Sequence, residues 1–105
     1  MRFGLEEKTI EKINQVLANH SQVEQVILFG SRAMGNFKNG SDIDLALKGA
    51  ELSLKIINEI SDEIDDLLLP YSFDLINFSH INNSELLNHI NLVGVTFYQS
   101  PEADN

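Results

Sequence analysis

The run Asp42-Ile43-Asp44-Leu45-Ala46-Leu47 constrains the fold of this chain more than any other segment. Asp42 and Asp44 alternate with Ile43, Leu45 and Leu47, the period of a half-buried strand. Residues two apart on a strand point to the same face, about 6.5–7 Å apart at Cα. Ile43, Leu45 and Leu47 therefore turn toward a core, and the same alternation sets two carboxylates side by side. Like charges at that range repel, and strands seldom use Asp at all. Something must offset that cost. A pair of divalent cations about 3.5–4 Å apart, bridged by carboxylates, would do so.

The flanking sequence supplies a sheet for this strand. Leu5, Ile10, Ile13, Val16, Leu17 and His20 recur at helical spacing and predict an amphipathic helix over about residues 6–19. Val23 to Phe29 is β-rich and predicts a first strand, which Gly30-Ser31 breaks sharply. Residues 31–41, with Gly35, Asn36, Asn39, Gly40 and Ser41, predict one helical turn and then a loop. Leu54, Ile57, Ile60, Ile64, Leu67 and Leu68 predict a helix over about residues 52–68, started by Ser53 and stopped by Pro70. Ser72 to Phe78 predicts a third strand, with Phe73 and Leu75 on one face and Asp74 and Ile76 on the other. Asn82 with Glu85 predicts a capped short helix through Ile90 that buries Leu86 and Leu87, and Val93 to Gln99 a fourth strand. Strands and helices alternate throughout, which predicts a single α/β or α+β domain over residues 1–100, followed by a loose acidic tail over 101–105.

Three features then belong together. Asp74 stands where a strand would normally present an apolar residue. Beside the second strand it would share a face with Asp42 and Asp44. Three converging carboxylates make a hard-oxygen site suited to Mg²⁺ or Mn²⁺ rather than zinc. Gly30-Ser31 is the complement: a residue without a Cβ lets backbone approach a phosphate, and the following N–H groups with the Ser31 hydroxyl can cradle anionic oxygens. Arg32 is placed to neutralise further charge. Metals on one side and donors on the other point to a nucleoside triphosphate. His20, His80 and His89 show no metal-ligand spacing and are expected to be structural or superficial.

Composition narrows the alternatives. The chain has no Cys, so a disulfide scaffold, a thiolate zinc site and a cysteine nucleophile are excluded. Residues 1–55 hold seven basic and seven acidic residues, whereas residues 56–105 hold nine acidic and no basic ones. That distribution offers no basic stripe for a nucleic-acid backbone and suits a basic protein partner or bound cations. No apolar run approaches the length of a membrane span, and Met1 to Glu7 lacks a signal-peptide core, so a cytoplasmic location is expected.

The segments Gly30-Ser31-Arg32-Ala33-Met34-Gly35, Ser41-Asp42-Ile43-Asp44-Leu45-Ala46 and Phe73-Asp74-Leu75-Ile76 resemble, in order and spacing, the nucleotidyltransferase superfamily that includes DNA polymerase beta. More closely they resemble the minimal nucleotidyltransferases, small proteins often encoded beside a HEPN-domain partner. The resemblance runs from the first strand to the fourth. It implies the nucleotidyltransferase fold, a single mixed sheet of about four strands with helices packed mainly on one face. It implies that Gly30 and Ser31 bind a triphosphate, with Arg32 and Ser41 assisting. Asp42 and Asp44 would hold both Mg²⁺ ions, and Asp74 would complete the catalytic metal site. Many minimal members carry Arg where this chain has Met34, so its loop has one cation fewer. Larger relatives append a helical substrate domain for which this chain has no room. The implied activity is transfer of AMP from ATP to a tyrosine of a HEPN-domain toxin, in a hetero-oligomer where the chain acts as antitoxin. The alternative is a binding module that masks its partner by contact alone.

Overall fold

A computed structural model describes residues 1–101. Beyond Pro101 the expected acidic tail lies outside the described residues. The elements run α1 (Glu7–Ala18), β1 (Gln25–Phe29), α2 (Ser31–Met34), β2 (Ile43–Lys48), α3 (Leu54–Asp65), β3 (Phe73–Asn77), a short 3₁₀ turn (Phe78–His80), α4 (Ser84–Val93) and β4 (Val95–Gln99). The four strands form one mixed sheet in the order β3-β2-β1-β4. β1 is antiparallel to both β2 and β4, while β2 and β3 run parallel and are joined by α3. The parallel pair requires such a crossover, because a tight turn cannot reverse the chain twice.

The alternation of β2 sorts the two faces as the sequence requires. Ile43, Leu45 and Leu47 are fully buried and share a core with Val26 and Leu28 of β1 and Phe97 of β4. α1 seals that face with Ile10, Ile13, Val16 and Leu17, and α3 with Ile57, Ile60 and Ile64. Each helix presents an apolar stripe spaced three and four residues apart, so burial rather than propensity holds it. The opposite face is covered only in part. Phe29 and Ala46 pack there against Ile90 and Leu86 of α4. The stretch of this face nearest the start of β2 carries the acidic residues.

Several boundaries differ from the sequence expectation, for local reasons. α3 ends at Asp65 rather than near residue 68. Leu67 and Leu68 instead make i−3 bonds to Ile64 and Asp65, and Leu68 turns left-handed at φ 56 with its side chain in solvent. The residue before a proline disfavours helix, so the chain has left the helix before Pro70 is reached. The cap of α4 is Asn83, whose Oδ1 accepts from the N–H groups of Glu85 and Leu86, and not Asn82. α4 runs on to Val93, which delays β4 to Val95. Leu86 and Leu87 are half-buried; Ile90 is the buried anchor of this helix. β1 starts at Gln25 and β2 at Ile43, leaving Asp42 just ahead of its strand. No helix among the described residues is long and apolar enough to cross a membrane.

Candidate active site

Strand register brings the acidic residues together. In the parallel β2–β3 ladder Asp44 stands directly beside Asp74, and in the antiparallel β1–β2 ladder it faces Phe29, the last residue before Gly30. Residues paired across a ladder point to the same face, so Asp44 and Asp74 share the face away from the α1/α3 core. Asp42, two residues earlier, adds its charge to the same region. The pKa of the Asp44 carboxyl is raised above its ordinary value, first by burial, then by the negative charges of Asp74 and Asp42. Asp42 and Asp74 are exposed and Asp44 is half-buried.

Gly30 closes the other side. It has φ 75 and ψ −157, a backbone region essentially confined to glycine. A Cβ placed on it would overlap Asp44 Oδ2 and would lie 3.3 Å from Asp44 Cγ. The missing side chain is thus the space that the Asp44 carboxylate occupies. The turn continues into α2, where the Met34 and Gly35 N–H groups donate to the Gly30 and Ser31 carbonyls. Ser31, half-buried, opens this turn beside the carboxylates.

The donor set suits a hard cation: oxygen ligands only, on one face, with like charges in need of neutralisation. As the side chains stand, no three His, Cys, Asp or Glu among the described residues are gathered so that they could hold a metal ion. Holding a cation there would require the carboxylates to turn toward one another. Asp42, Asp44 and Asp74 are the residues that would hold it.

Two residues offered by sequence for the nucleotide are engaged elsewhere. Arg32 is only 3% exposed and points into the protein. Its Nε donates to the Ser41 carbonyl at 3.1 Å and its Nη1 to the Phe3 carbonyl at 2.8 Å. Its guanidinium lies over the rings of both Phe37 and Tyr71, 5.2 and 5.1 Å from their centroids. The geometry corrects the expectation of a phosphate contact: Arg32 ties together the segments that lead into Asp42 and Asp74. Ser41 likewise shapes the loop, its hydroxyl accepting from the Lys38 N–H at 2.8 Å. Arg32→Lys is expected to cost about 1–2 kcal/mol, because an ammonium cannot span both carbonyls and both rings. Denaturant unfolding with an unchanged slope is the measurement.

His89, expected to be structural or superficial, holds a structural place beside the glycine turn. It lies on α4 with its Nε2 accepting the Gly30 N–H at 3.1 Å, and its ring meets Phe29 edge-on at 6.2 Å. Only its position one residue before the buried Ile90 hinted at an inward aspect. His20 does hold a structural place, with Nε2 2.8 Å from Glu63 Oε2 between α1 and α3.

Comparison with known proteins identifies the family and the fold. A family model described as polymerase beta, nucleotidyltransferase, matches residues 11–103. The chain belongs to the polymerase beta nucleotidyltransferase family. Among solved structures it is similar to a chain of a toxin–antitoxin complex with AMP-PNP, at TM-score 0.69 and 24% identity over 95% of this chain and 78% of that one. It is also similar to a chain of the tri-AMPylated Shewanella oneidensis HEPN toxin in complex with MNT antitoxin, at TM-score 0.67 and 20% identity over 95% and 77%. A third likeness is to a chain of the toxin–antitoxin MntA-HepT, at TM-score 0.67 and 20% identity over 94% and 77%. At these identities the likeness establishes the nucleotidyltransferase fold. Comparison with curated proteins returns no match.

Proposed function

We propose that this nucleotidyltransferase is a Mg²⁺-dependent antitoxin that transfers AMP from ATP to a tyrosine hydroxyl of a HEPN-domain toxin in the cytoplasm. The observation that carries the reading is the register of Asp44 beside Asp74, facing the glycine turn at Gly30. When bound, two Mg²⁺ ions would neutralise the carboxylates and stabilise charge on the phosphates, with Mn²⁺ as a substitute. The chain's own residues supply the rest. Backbone N–H groups that follow Gly30, with the Ser31 hydroxyl, orient the triphosphate. Asp74, exposed on the edge strand β3, orients the attacking hydroxyl and draws off its proton. The hydroxyl oxygen bonds to the α-phosphorus as the bond to the bridging oxygen breaks, and pyrophosphate leaves in line.

The acceptor follows from likeness and from charge. One of the similar structures is described as a tri-AMPylated HEPN toxin in complex with an MNT antitoxin. The acidic residues from 56 onward suit a basic protein surface better than a nucleic acid.

Incubating the protein with ATP, Mg²⁺ and a HEPN-domain toxin should add the mass of AMP to that partner. Asp42→Asn and Asp74→Asn should abolish the adduct. If both variants still neutralise the toxin fully and no adduct forms with wild type, the chain is a masking module and the transfer reading fails.

A further inference from the structure

Gly30 is held in a conformation that no other residue adopts readily, and a four-residue helix following it is too short to enforce that by itself. What restrains it from outside is α4. The Gly30 N–H donates to His89 Nε2 at 3.1 Å. The imidazole is fixed in turn by its edge-on contact with buried Phe29 and by the anchoring of its neighbour Ile90 in the second core. An Nε2 that accepts is unprotonated, which places the ring proton on Nδ1. The same turn packs against the Asp44 carboxylate, with no room for a Cβ between them.

We propose that His89 is a positioning residue for nucleotide binding. By accepting the Gly30 N–H it fixes the glycine turn against Asp44, so that the N–H groups that follow face the carboxylates in a ready-made triphosphate cradle. The inference rests on the reading of that turn as a triphosphate site. It adds a third element, α4, to a site otherwise built from the ends of β1, β2 and β3. Pre-organisation of this kind appears in affinity, because a free turn must be ordered when ligand binds.

The experiment compares wild type, His89→Leu and His89→Gln. Leu keeps the bulk against Phe29 and removes the acceptor; Gln restores an acceptor near the Nε2 position. Amide exchange at Gly30 should be about fivefold to tenfold faster in His89→Leu and near wild type in His89→Gln, the change expected for one hydrogen bond. The dissociation constant for Mg²⁺ with α,β-methylene ATP, which cannot lose pyrophosphate, should rise about fivefold in His89→Leu and return in His89→Gln. A purely structural role would weaken Leu and Gln alike and would leave Gly30 exchange unmoved, and either result overturns the proposal. Tighter binding in His89→Leu also overturns it, since His89 would then be blocking a donor that phosphate needs. Wild type that binds no nucleotide sinks the triphosphate reading instead, while the exchange comparison still decides whether His89 holds the turn.

Discussion

Gly30→Ala is expected to destabilise the protein by about 2–4 kcal/mol and to lower nucleotidyl transfer by at least about a hundredfold. Two effects combine. The backbone at φ 75 and ψ −157 lies in a region that costs a non-glycine residue about 1–3 kcal/mol. The added methyl also overlaps the Asp44 carboxylate, so either the turn or Asp44 must move. For a domain of this size the loss corresponds to a fall in melting temperature of about 10–20 °C. Gly35→Ala is the control. Gly35 also has positive φ, at 82, but a Cβ there meets nothing within 4 Å. It should lose about 1–2 kcal/mol from backbone strain alone and retain most of its activity. Equal losses in the two variants would show that the Gly30–Asp44 contact has no functional weight.

The contrast between Gly30 and Arg32 marks how far sequence reaches into this site. Strand faces are set by a period of two, so the burial of Ile43, Leu45 and Leu47 on the face away from Asp44 was legible from spacing alone. The pairing of Asp74 with Asp44 was legible only as a condition, because strand order depends on how α3 crosses over and not on any local signal. Arg32 looked like a phosphate ligand because it follows Gly30-Ser31. Its direction is decided by Phe3, Phe37, Ser41 and Tyr71, which come from three separate stretches of the chain. The contact that His89 makes is illegible for the complementary reason. Its partner is a backbone N–H, and a backbone group leaves no trace in side-chain patterns. The α3 and α4 ends missed by a few residues because neighbouring signals competed: Leu67 and Leu68 continue the apolar pattern of α3 without continuing its helix, and Asn82 and Asn83 are equally able to cap.

Asp44→Asn should do the opposite of Gly30→Ala to stability while sharing its effect on function. Burial and the charges of Asp74 and Asp42 raise the Asp44 pKa above the ordinary 3.8. A carboxyl raised in the folded state binds its proton more tightly there than in the unfolded chain. Wild-type stability in the absence of divalent cations therefore falls as pH climbs from the ordinary value through the raised one, and the deficit persists at neutral pH. Asn removes the charge at nearly constant volume. The variant should be more stable than wild type at pH 7 in chelator by about 0.5 kcal/mol, a melting-temperature gain of roughly 2–4 °C, since like charges directly opposite on neighbouring strands cost that order. The gain should vanish below the ordinary carboxylate range and shrink at high salt, because the site is largely open to solvent. Adding Mg²⁺ with ATP should reverse the ranking, stabilising wild type and leaving Asp44→Asn unchanged. Transfer by the variant should fall by about two to three orders of magnitude, the loss typical of removing one charge-stabilising group from a reaction centre. A melt series across pH, with and without Mg²⁺ and ATP, checks every part of this. If Asp44→Asn proves the less stable protein in chelator at neutral pH, the carboxylates do not repel one another as the β2–β3 register requires, and the case for a cation between them goes with it.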